Sequence, residues 1–510
     1  MRQIPHFPAA LAAGAASAFA FQPVGWWPLM IMAIAVLCDL VARAGSLKKA
    51  LRIGWAFGLG QFAIGLNWIA TAFTYQAKMP PSLGWVAVVL LSLYLAIYPA
   101  MAAGLAWRFG ERNRVALVLA LAGGWAITEW LRATMFTGFA WNSIAVALVD
   151  YWPRDLAPWI GTYSLSALVV VLGGVLFWLA HRHARPALFT MAALILLTSA
   201  LPSLRSEQVK APNRPIRIVQ PNIGQQDKWR PGFDDEAYRR LYRLTIQGPP
   251  KTRLIFWPEA AVTEPIEDGR QGAERYTEAE RLRATRPLLA DDVLLTGGLS
   301  FTSSDGQTVD GATNSVYVLQ QIGEIRGRYD KAHLVPYGEY LPMRPLLSAI
   351  GLSRLAPGDI DFADGPGPRT IQLPGDWGKV GFQLCYEIIF SGQVVDRQNR
   401  PDFIFNPSND AWFGRWGPPQ HLAQARLRAA EEGLPVIRST PTGISALIDA
   451  DGRIIKSIPW GQAGFIDGTL PYPGKPTLFA RFGNIIPLTL GFLLLIAAIA
   501  LDRRARYRAI

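Results

Sequence analysis

Cysteine is nearly absent from this 510-residue chain, which has two, and histidine is scarce, with five. Cys38 lies inside a long apolar stretch and Cys385 at the end of a short one, so a structural disulfide is not expected. No cluster of His, Cys and carboxylates has metal-ligand spacing, and no Gly-rich phosphate loop occurs. Neither a metal nor a cofactor is therefore expected. Charge is thin as well: Asp, Glu, Lys and Arg make up 17% of the residues against 51% for the apolar set. A chain of this length exceeds one ordinary core, so at least two units are expected.

What is abundant is long apolar sequence, crowded into residues 7–201 and 482–501. A helix crossing a bilayer takes about 20 mostly apolar residues. Spans are expected at Phe7 to Phe21, Val24 to Ala42, Ile53 to Phe73, Leu83 to Trp107, Val115 to Leu131, Leu156 to Ala180, Ala187 to Leu201 and Phe482 to Leu501. The first, fifth and seventh are short for that task. The first also reads as a secretory signal, with Arg2 ahead of it and Ala18-Phe19-Ala20 as a small-residue cleavage site. The turn-like segment from Pro23 to Pro28 favours a retained span.

Alternate connections carry Arg2; Arg43, Lys48, Lys49 and Arg52; Arg108, Arg112 and Arg114; Arg182 and Arg185; and Arg503, Arg504, Arg506 and Arg508. The intervening ones carry only Lys78, Arg132 and Arg154. The positive-inside rule puts the first set and both termini in the cytoplasm. Those fourteen cations, less Glu111 and Asp502 on the same side, equal the whole net charge of +12. The basic balance thus needs no nucleic-acid partner, and no helix-turn-helix, RNP or zinc pattern accompanies it. Seven spans before the hydrophilic segment place it outside, in a periplasm or its equivalent. The expected organisation is a membrane domain over residues 1–204, an extracytoplasmic domain over 205–480, and a last span with a basic tail over 481–510.

Within the hydrophilic part, short apolar runs recur at Ile216 to Val219, Leu254 to Trp257, Val293 to Thr296, Ser315 to Leu319, Lys379 to Leu384, Phe403 to Phe405, Val436 to Arg438 and Ser445 to Ile448. Helix-like stretches fall between them at Glu236 to Ile246, Ala273 to Leu289 and His421 to Glu432. The alternation predicts an α/β layered domain. Pro212 to Pro215 and Pro471 to Pro476 read as linkers to the membrane part.

Three reactive residues follow such runs: Glu259 after Leu254-Ile255-Phe256-Trp257-Pro258, Lys331 in Tyr329-Asp330-Lys331-Ala332-His333-Leu334, and Cys385 after Val380-Gly381-Phe382-Gln383-Leu384. Positions beyond strand ends are where α/β sheets usually place ligands and catalysis. Singly, a Glu is more often solvated, a Lys surface and a free Cys packing. Together they make an acyl-transfer set. A thiol with a pKa near 8.5 needs a base, a role for Glu259, while Lys331 suits a thiolate and an oxyanion.

These three blocks resemble, in order, those of the nitrilase, or carbon-nitrogen hydrolase, superfamily. Val335-Pro336-Tyr337-Gly338-Glu339-Tyr340-Leu341-Pro342 and Asn406-Pro407-Ser408-Asn409-Asp410-Ala411-Trp412-Phe413-Gly414, with the flanking spans, are similar to its apolipoprotein N-acyltransferase family. So are Gly65-Leu66-Asn67-Trp68 and Thr128-Glu129-Trp130-Leu131-Arg132 in the membrane part. The resemblance implies a polytopic α-helical membrane domain joined to a four-layer α-β-β-α sandwich with a Glu/Lys/Cys triad. It implies transfer of an acyl chain from a phospholipid, through a thioester on Cys385, to the free α-amino group of a diacylglyceryl-modified N-terminal cysteine on an apolipoprotein. It makes Glu259 the base and Lys331 the stabilising cation, with Glu339, Tyr386, Glu387, Trp229 and Trp412 in support. The implied location is the bacterial cytoplasmic membrane, with the catalytic domain in the periplasm.

Other features carry plainer expectations. A Cys/His pair is open to His333 or His421, although Lys331 and Glu259 already fill the roles needed. Glu129 and Arg132 read as an i,i+3 pair, with a lipid entrance the lesser reading. Tryptophans near span ends fit an interfacial belt. Competing functions are a membrane-anchored amidase that gives the acyl group to water, and a transporter bearing a catalytically dead binding domain.

Overall fold

A computed structural model describes residues 6–75, 79–200, 213–228, 230, 232–349, 351–355 and 360–508. Arg2, Lys78, Leu201 and Trp229 lie outside the described residues.

The first apolar region folds as α1 (His6–Ser17), α2 (Pro28–Ala42), α3 (Leu47–Gly65), α4 (Trp68–Ala72), α5 (Leu83–Leu95), α6 (Ile97–Gly110), α7 (Arg114–Thr134), α8 (Ala157–Ala180) and α9 (Ala184–Ala200). Side chains fix two of the starts. The Ser46 hydroxyl accepts the Lys49 N–H at 3.3 Å, and Asn113 Oδ1 accepts those of Val115 and Ala116 at 2.9 and 3.2 Å. Small residues let helices close up: a Cβ on Gly14 would fall 1.9 Å from the Phe57 carbonyl oxygen, so only glycine permits the α1–α3 approach.

Each expected segment of this region is helical, but the lengths differ from the sequence reading. Among the described residues, four helical stretches, 83–110, 114–134, 152–180 and 485–507, are long and apolar enough to cross a membrane. The α3–α4 pair, bent by 42°, makes a fifth if counted as one span. The Val115 segment, expected to be short, forms a 21-residue helix because it starts at its Asn113 cap and runs to Thr134. The Val24 segment is cut to 15 residues because Pro28 sits at the helix start and the residues before it turn.

The hydrophilic part contains two sheets. The first is built from β1 (Pro215–Gln220), β2 (Leu254–Phe256), β3 (Pro265–Asp268), β4 (Val293–Thr302), β5 (Gly311–Gln320), β6 (Glu324–Asp330) and, from the far end of the domain, β13 (Gly464–Thr469). Its order is β13-β1-β2-β4-β5-β6, with β3 beside β4. The second holds β7 (Thr370–Gln372), β8 (Lys379–Phe382), β9 (Phe403–Pro407), β10 (Val436–Ser439), β11 (Ser445–Ile448) and β12 (Ile454–Ile458), in the order β12-β11-β10-β9-β8-β7. Strands β1, β2 and β4 run parallel, as do β8, β9 and β10.

Between the sheets, Ile218, Phe256, Leu295 and Val318 pack against Phe382, Phe403, Phe405 and Ile437. The short α10 (Gln225–Lys228) follows β1. Helices α11 (Asp234–Ile246) and α12 (Glu274–Thr285) cover the outer face of the first sheet through Leu241 and Ala284, with Leu288 just past α12 in the same cluster. After the short α13 (Arg344–Ala349), helix α14 (Gly417–Glu432) covers the second sheet. This is the four-layer arrangement expected.

Helix α14 is buried along nearly its whole circumference. One side meets Ile404, Val436 and Ile448 of the sheet, and the rest joins the core of the apolar helices. Arg428 reaches the Thr162 hydroxyl, and Glu431 Oε1 accepts the Thr162 backbone N–H at 2.6 Å. The outermost catalytic layer is thus also part of the membrane-type domain. The chain closes with α15 (Leu478–Phe482) and α16 (Ile485–Arg508), the latter packed on α7 and α8.

Candidate active site

Three strand ends deliver the expected residues. Glu259 lies three positions after β2, Lys331 directly follows β6, and Cys385 lies three positions after β8. Cys385 opens a 3-10 turn with φ at +53°, the left-handed region that non-glycine residues avoid at a cost of roughly 1 to 3 kcal/mol. The turn is held from both sides. Glu387 accepts the Leu384 N–H at 2.6 Å, the Ala332 and His333 N–H groups at 2.8 and 3.0 Å, and the Tyr329 hydroxyl at 2.9 Å. It therefore ties the Lys331 loop to the cysteine turn, and burial raises its carboxyl pKa above the ordinary range.

The carboxylates and the lysine form a buried chain. Asn314 Nδ2 donates to Glu259 Oε1 at 2.8 Å and to Glu339 Oε1 at 3.0 Å, and Glu339 Oε2 lies 2.8 Å from Lys331 Nζ. Lys331 is 1% exposed, so its charge is supported by these groups rather than by water. Burial works against the ammonium, but Glu339, Glu259 and Cys385 outweigh it and hold its pKa above the ordinary lysine value. Glu259 Oε2 is buried without a hydrogen-bond partner among the described residues. Cys385 lies within electrostatic reach of both Glu259 and Lys331. Burial first, then the Glu259 carboxylate, push the thiol pKa well up, while Lys331 and the Asn409 backbone N–H pull it down.

The remaining expected residues stand at the junction with the apolar helices. The Tyr386 hydroxyl donates to the Gly138 carbonyl at 3.3 Å, and its ring meets Phe390 edge-on. The Trp412 ring meets Tyr75 at 5.9 Å. Next to it, Phe413 packs against Trp68 and Trp141. Trp141 is fully buried and donates to Gln420 at 2.8 Å. Trp68, Trp125 and Trp178 are buried too, so these tryptophans pack the interior and the junction; the belt reading fits only exposed rings such as Trp26 and Trp85.

The imidazole of His421 accounts for the Cys/His alternative. It faces the Cys385 carbonyl oxygen at 3.0 Å through Nε2 and Asp410 at 2.9 Å through Nδ1, so its bonds go to backbone and carboxylate. Asp410 is in turn paired with Arg438 at 2.6 Å. Although burial opposes it, Arg438 and His421 hold the Asp410 carboxyl below its ordinary pKa. His333 stacks on Phe390 at 4.0 Å. Glu129 and Arg132 do pair, at 3.6 Å, yet both are buried: Arg132 donates to the Phe139 and Trp141 carbonyls and Glu129 accepts the Ile144 N–H. Among the described residues no group of three His, Cys, Asp or Glu is arranged to hold a metal.

Sequence reasoning missed Asn314, Lys228 and the Asp410–Arg438 pair. Asn314 gave little sign of its role, since it sits in the polar Thr313-Asn314-Ser315 stretch ahead of the apolar run of β5.

Two facing sheets carrying a glutamate, a lysine and a cysteine at their strand ends define a carbon–nitrogen hydrolase domain, and residues 216–473 match the family model described as Carbon-nitrogen hydrolase. Residues 13–175 match the model of the Apolipoprotein N-acyltransferase N-terminal domain. An apolipoprotein N-acyltransferase of Rhodopseudomonas palustris is 34% identical, over 93% of this chain and 91% of its own. One of Nitrosomonas europaea is 31% identical over 96% of both. A nitrilase-superfamily structure from Saccharomyces cerevisiae covers 56% of this chain and 98% of its own, at 16% identity and a TM-score of 0.37. The chain belongs to the apolipoprotein N-acyltransferase family and is an acyltransferase with several apolar, membrane-embedded helices.

Proposed function

We propose that this enzyme moves an acyl chain from a phospholipid to the α-amino group of a diacylglyceryl-modified N-terminal cysteine, in two half-reactions through Cys385. The observation that carries this reading is the buried chain Glu259–Asn314–Glu339–Lys331 converging on a strained cysteine turn.

In the first half-reaction the Cys385 proton moves to Glu259 Oε2, the buried oxygen with no other bond to break. The sulfur attacks the ester carbonyl of the lipid, with Lys331 beside the developing oxyanion. The ester C–O bond breaks, a thioester C–S bond forms, and Glu259 returns the proton to the departing lysophospholipid alkoxide. In the second, the acceptor amine attacks the thioester carbonyl, gives its proton to Glu259, and leaves as an amide. The proton then returns to the sulfur. Glu339 sets the position of Lys331, Glu387 sets that of the turn, and Tyr386 and Trp412 stand where the site meets the apolar helices.

The reading places residues 1–204 and 481–510 in the bacterial cytoplasmic membrane with both termini inside, and the catalytic domain over 205–480 in the periplasm. The physical reason is the acyl chain: bringing about fifteen methylenes into water costs roughly 12 kcal/mol at ~0.8 kcal/mol each. A site whose outer layer, α14, is packed among the apolar helices leaves that chain in lipid.

The experiment supplies purified enzyme with labelled phospholipid and a diacylglyceryl-cysteine peptide, and follows the label by mass spectrometry. Acylated peptide is expected. Labelled free fatty acid with unmodified peptide makes the protein a hydrolase and overturns the proposal.

A further inference from the structure

Lys228 is a charged residue buried where none was expected. It ends α10 at 7% exposure, and its ammonium donates to the Glu259 carbonyl oxygen at 3.3 Å. The turn carrying it is anchored to the nucleophile's side of the site: Gln225 Oε1 accepts Asn409 Nδ2 at 3.0 Å, and the Asn409 N–H faces the Cys385 sulfur. Lys228 is therefore held by the backbone of the base and by a segment that touches the nucleophile.

Charge gives this placement a consequence. Of the groups acting on the sulfur, Glu259 and Asp410 oppose its ionisation and Lys331 favours it. Asp410 is committed to Arg438 and His421, and Lys331 to Glu339. When the Cys385 proton passes to Glu259, a negative sulfur appears in a desolvated pocket whose expected cation is already paired. Lys228 adds a second cation within reach of both Glu259 and Cys385. Burial lowers its own pKa to about 8, against the pull of those two groups. Its charge thus depends on a carboxylate or a thiolate being present.

We propose that Lys228 is a second positioning lysine of the site, fixing Glu259 through its carbonyl and supplying positive charge toward the Cys385 thiolate. It takes no part in the proton transfer itself: the thiol proton goes to Glu259. The charged groups facing it include Glu259 after β2 and Cys385 after β8, and Asp227 and Arg230 belong to its own segment. The assignment rests on the acyl-enzyme reading above, but its test does not.

That test is the pH dependence of Cys385 alkylation by iodoacetamide, read by mass spectrometry on the full chain in detergent without phospholipid or acceptor. Lys228→Met is expected to move the alkylation midpoint up by about one pH unit, which is about tenfold less thiolate at a fixed pH. Lys228→Arg, which stays charged, is expected to keep the wild-type midpoint and to lose the second inflection expected near pH 8. A Lys228→Met profile superimposable on wild type overturns the proposal, whichever acceptor takes the acyl group. So does a Lys228→Arg profile displaced as far as that of Lys228→Met, since that shift would follow shape rather than charge.

Discussion

Lys331 and Glu339 face each other at 2.8 Å with almost no access to water, and Asn314 links that pair to Glu259. Glu339 therefore decides how much of the Lys331 charge falls on Glu259. In Glu339→Gln the ammonium is left to Glu259 alone, which makes that carboxylate a weaker base. The expected result is a fall in the rate of Cys385 acylation of about ten- to a hundredfold, part of the roughly 10²- to 10⁴-fold that a well-placed general base contributes. Single-turnover kinetics with excess enzyme check it; an unchanged rate would separate Glu339 from the base.

Glu387 takes four donors from two loops, and a glutamine there replaces one accepting oxygen with a donor. A buried N–H left without an acceptor costs about 1 to 3 kcal/mol. Glu387→Gln is thus expected to lower the melting temperature by several degrees and to slow acylation. Wild-type melting would show that the two loops are held by something else.

His421 bonds to the Cys385 carbonyl rather than the sulfur. His421→Gln is expected to retain Cys385 acylation within about tenfold, because the base and the cation remain, while stability falls because the buried Asp410–Arg438 pair loses its imidazole partner. A loss of about a thousandfold at unchanged melting temperature would instead assign His421 the proton transfer.

Much of this was legible in the sequence, and the misses share a cause. The central strands β1, β2, β8, β9 and β10 are buried on both faces and read as short apolar runs. The unrecognised strands are mainly the sheet edges, β6, β7, β12 and β13. Glu324-Ile325-Arg326-Gly327-Arg328 in β6 alternates charge with small or apolar residues, and Ile454 to Ser457 in β12 are exposed, so neither shows an apolar run. Glu259, Lys331 and Cys385 were visible because each directly follows a run or a motif. Asn314 and Lys228 act through contacts between segments 55 and 31 residues apart, which no local pattern records.

Glu432, at the end of α14, is fully buried with Arg400 at 3.8 Å. Burial first, then Glu431, raise its pKa to about 7 against Arg400, Arg397 and Arg428. The folded state thus binds this proton more tightly than the unfolded one. Its contribution favours folding below about pH 4.5 and is lost as pH rises to about 7, on the order of 3 kcal/mol in all. Glu432→Gln is expected to narrow the difference in melting temperature between pH 5 and pH 8. An undiminished difference would place that pH dependence in other groups.

The central claim is that the acyl group rests on Cys385. Purified enzyme is incubated with labelled phospholipid alone, and the Cys385 peptide is examined by mass spectrometry before and after hydroxylamine. The account predicts an acyl mass on that peptide, removed by hydroxylamine and absent from Cys385→Ala. An enzyme that transfers acyl chains to the acceptor while this peptide never carries one would contradict it.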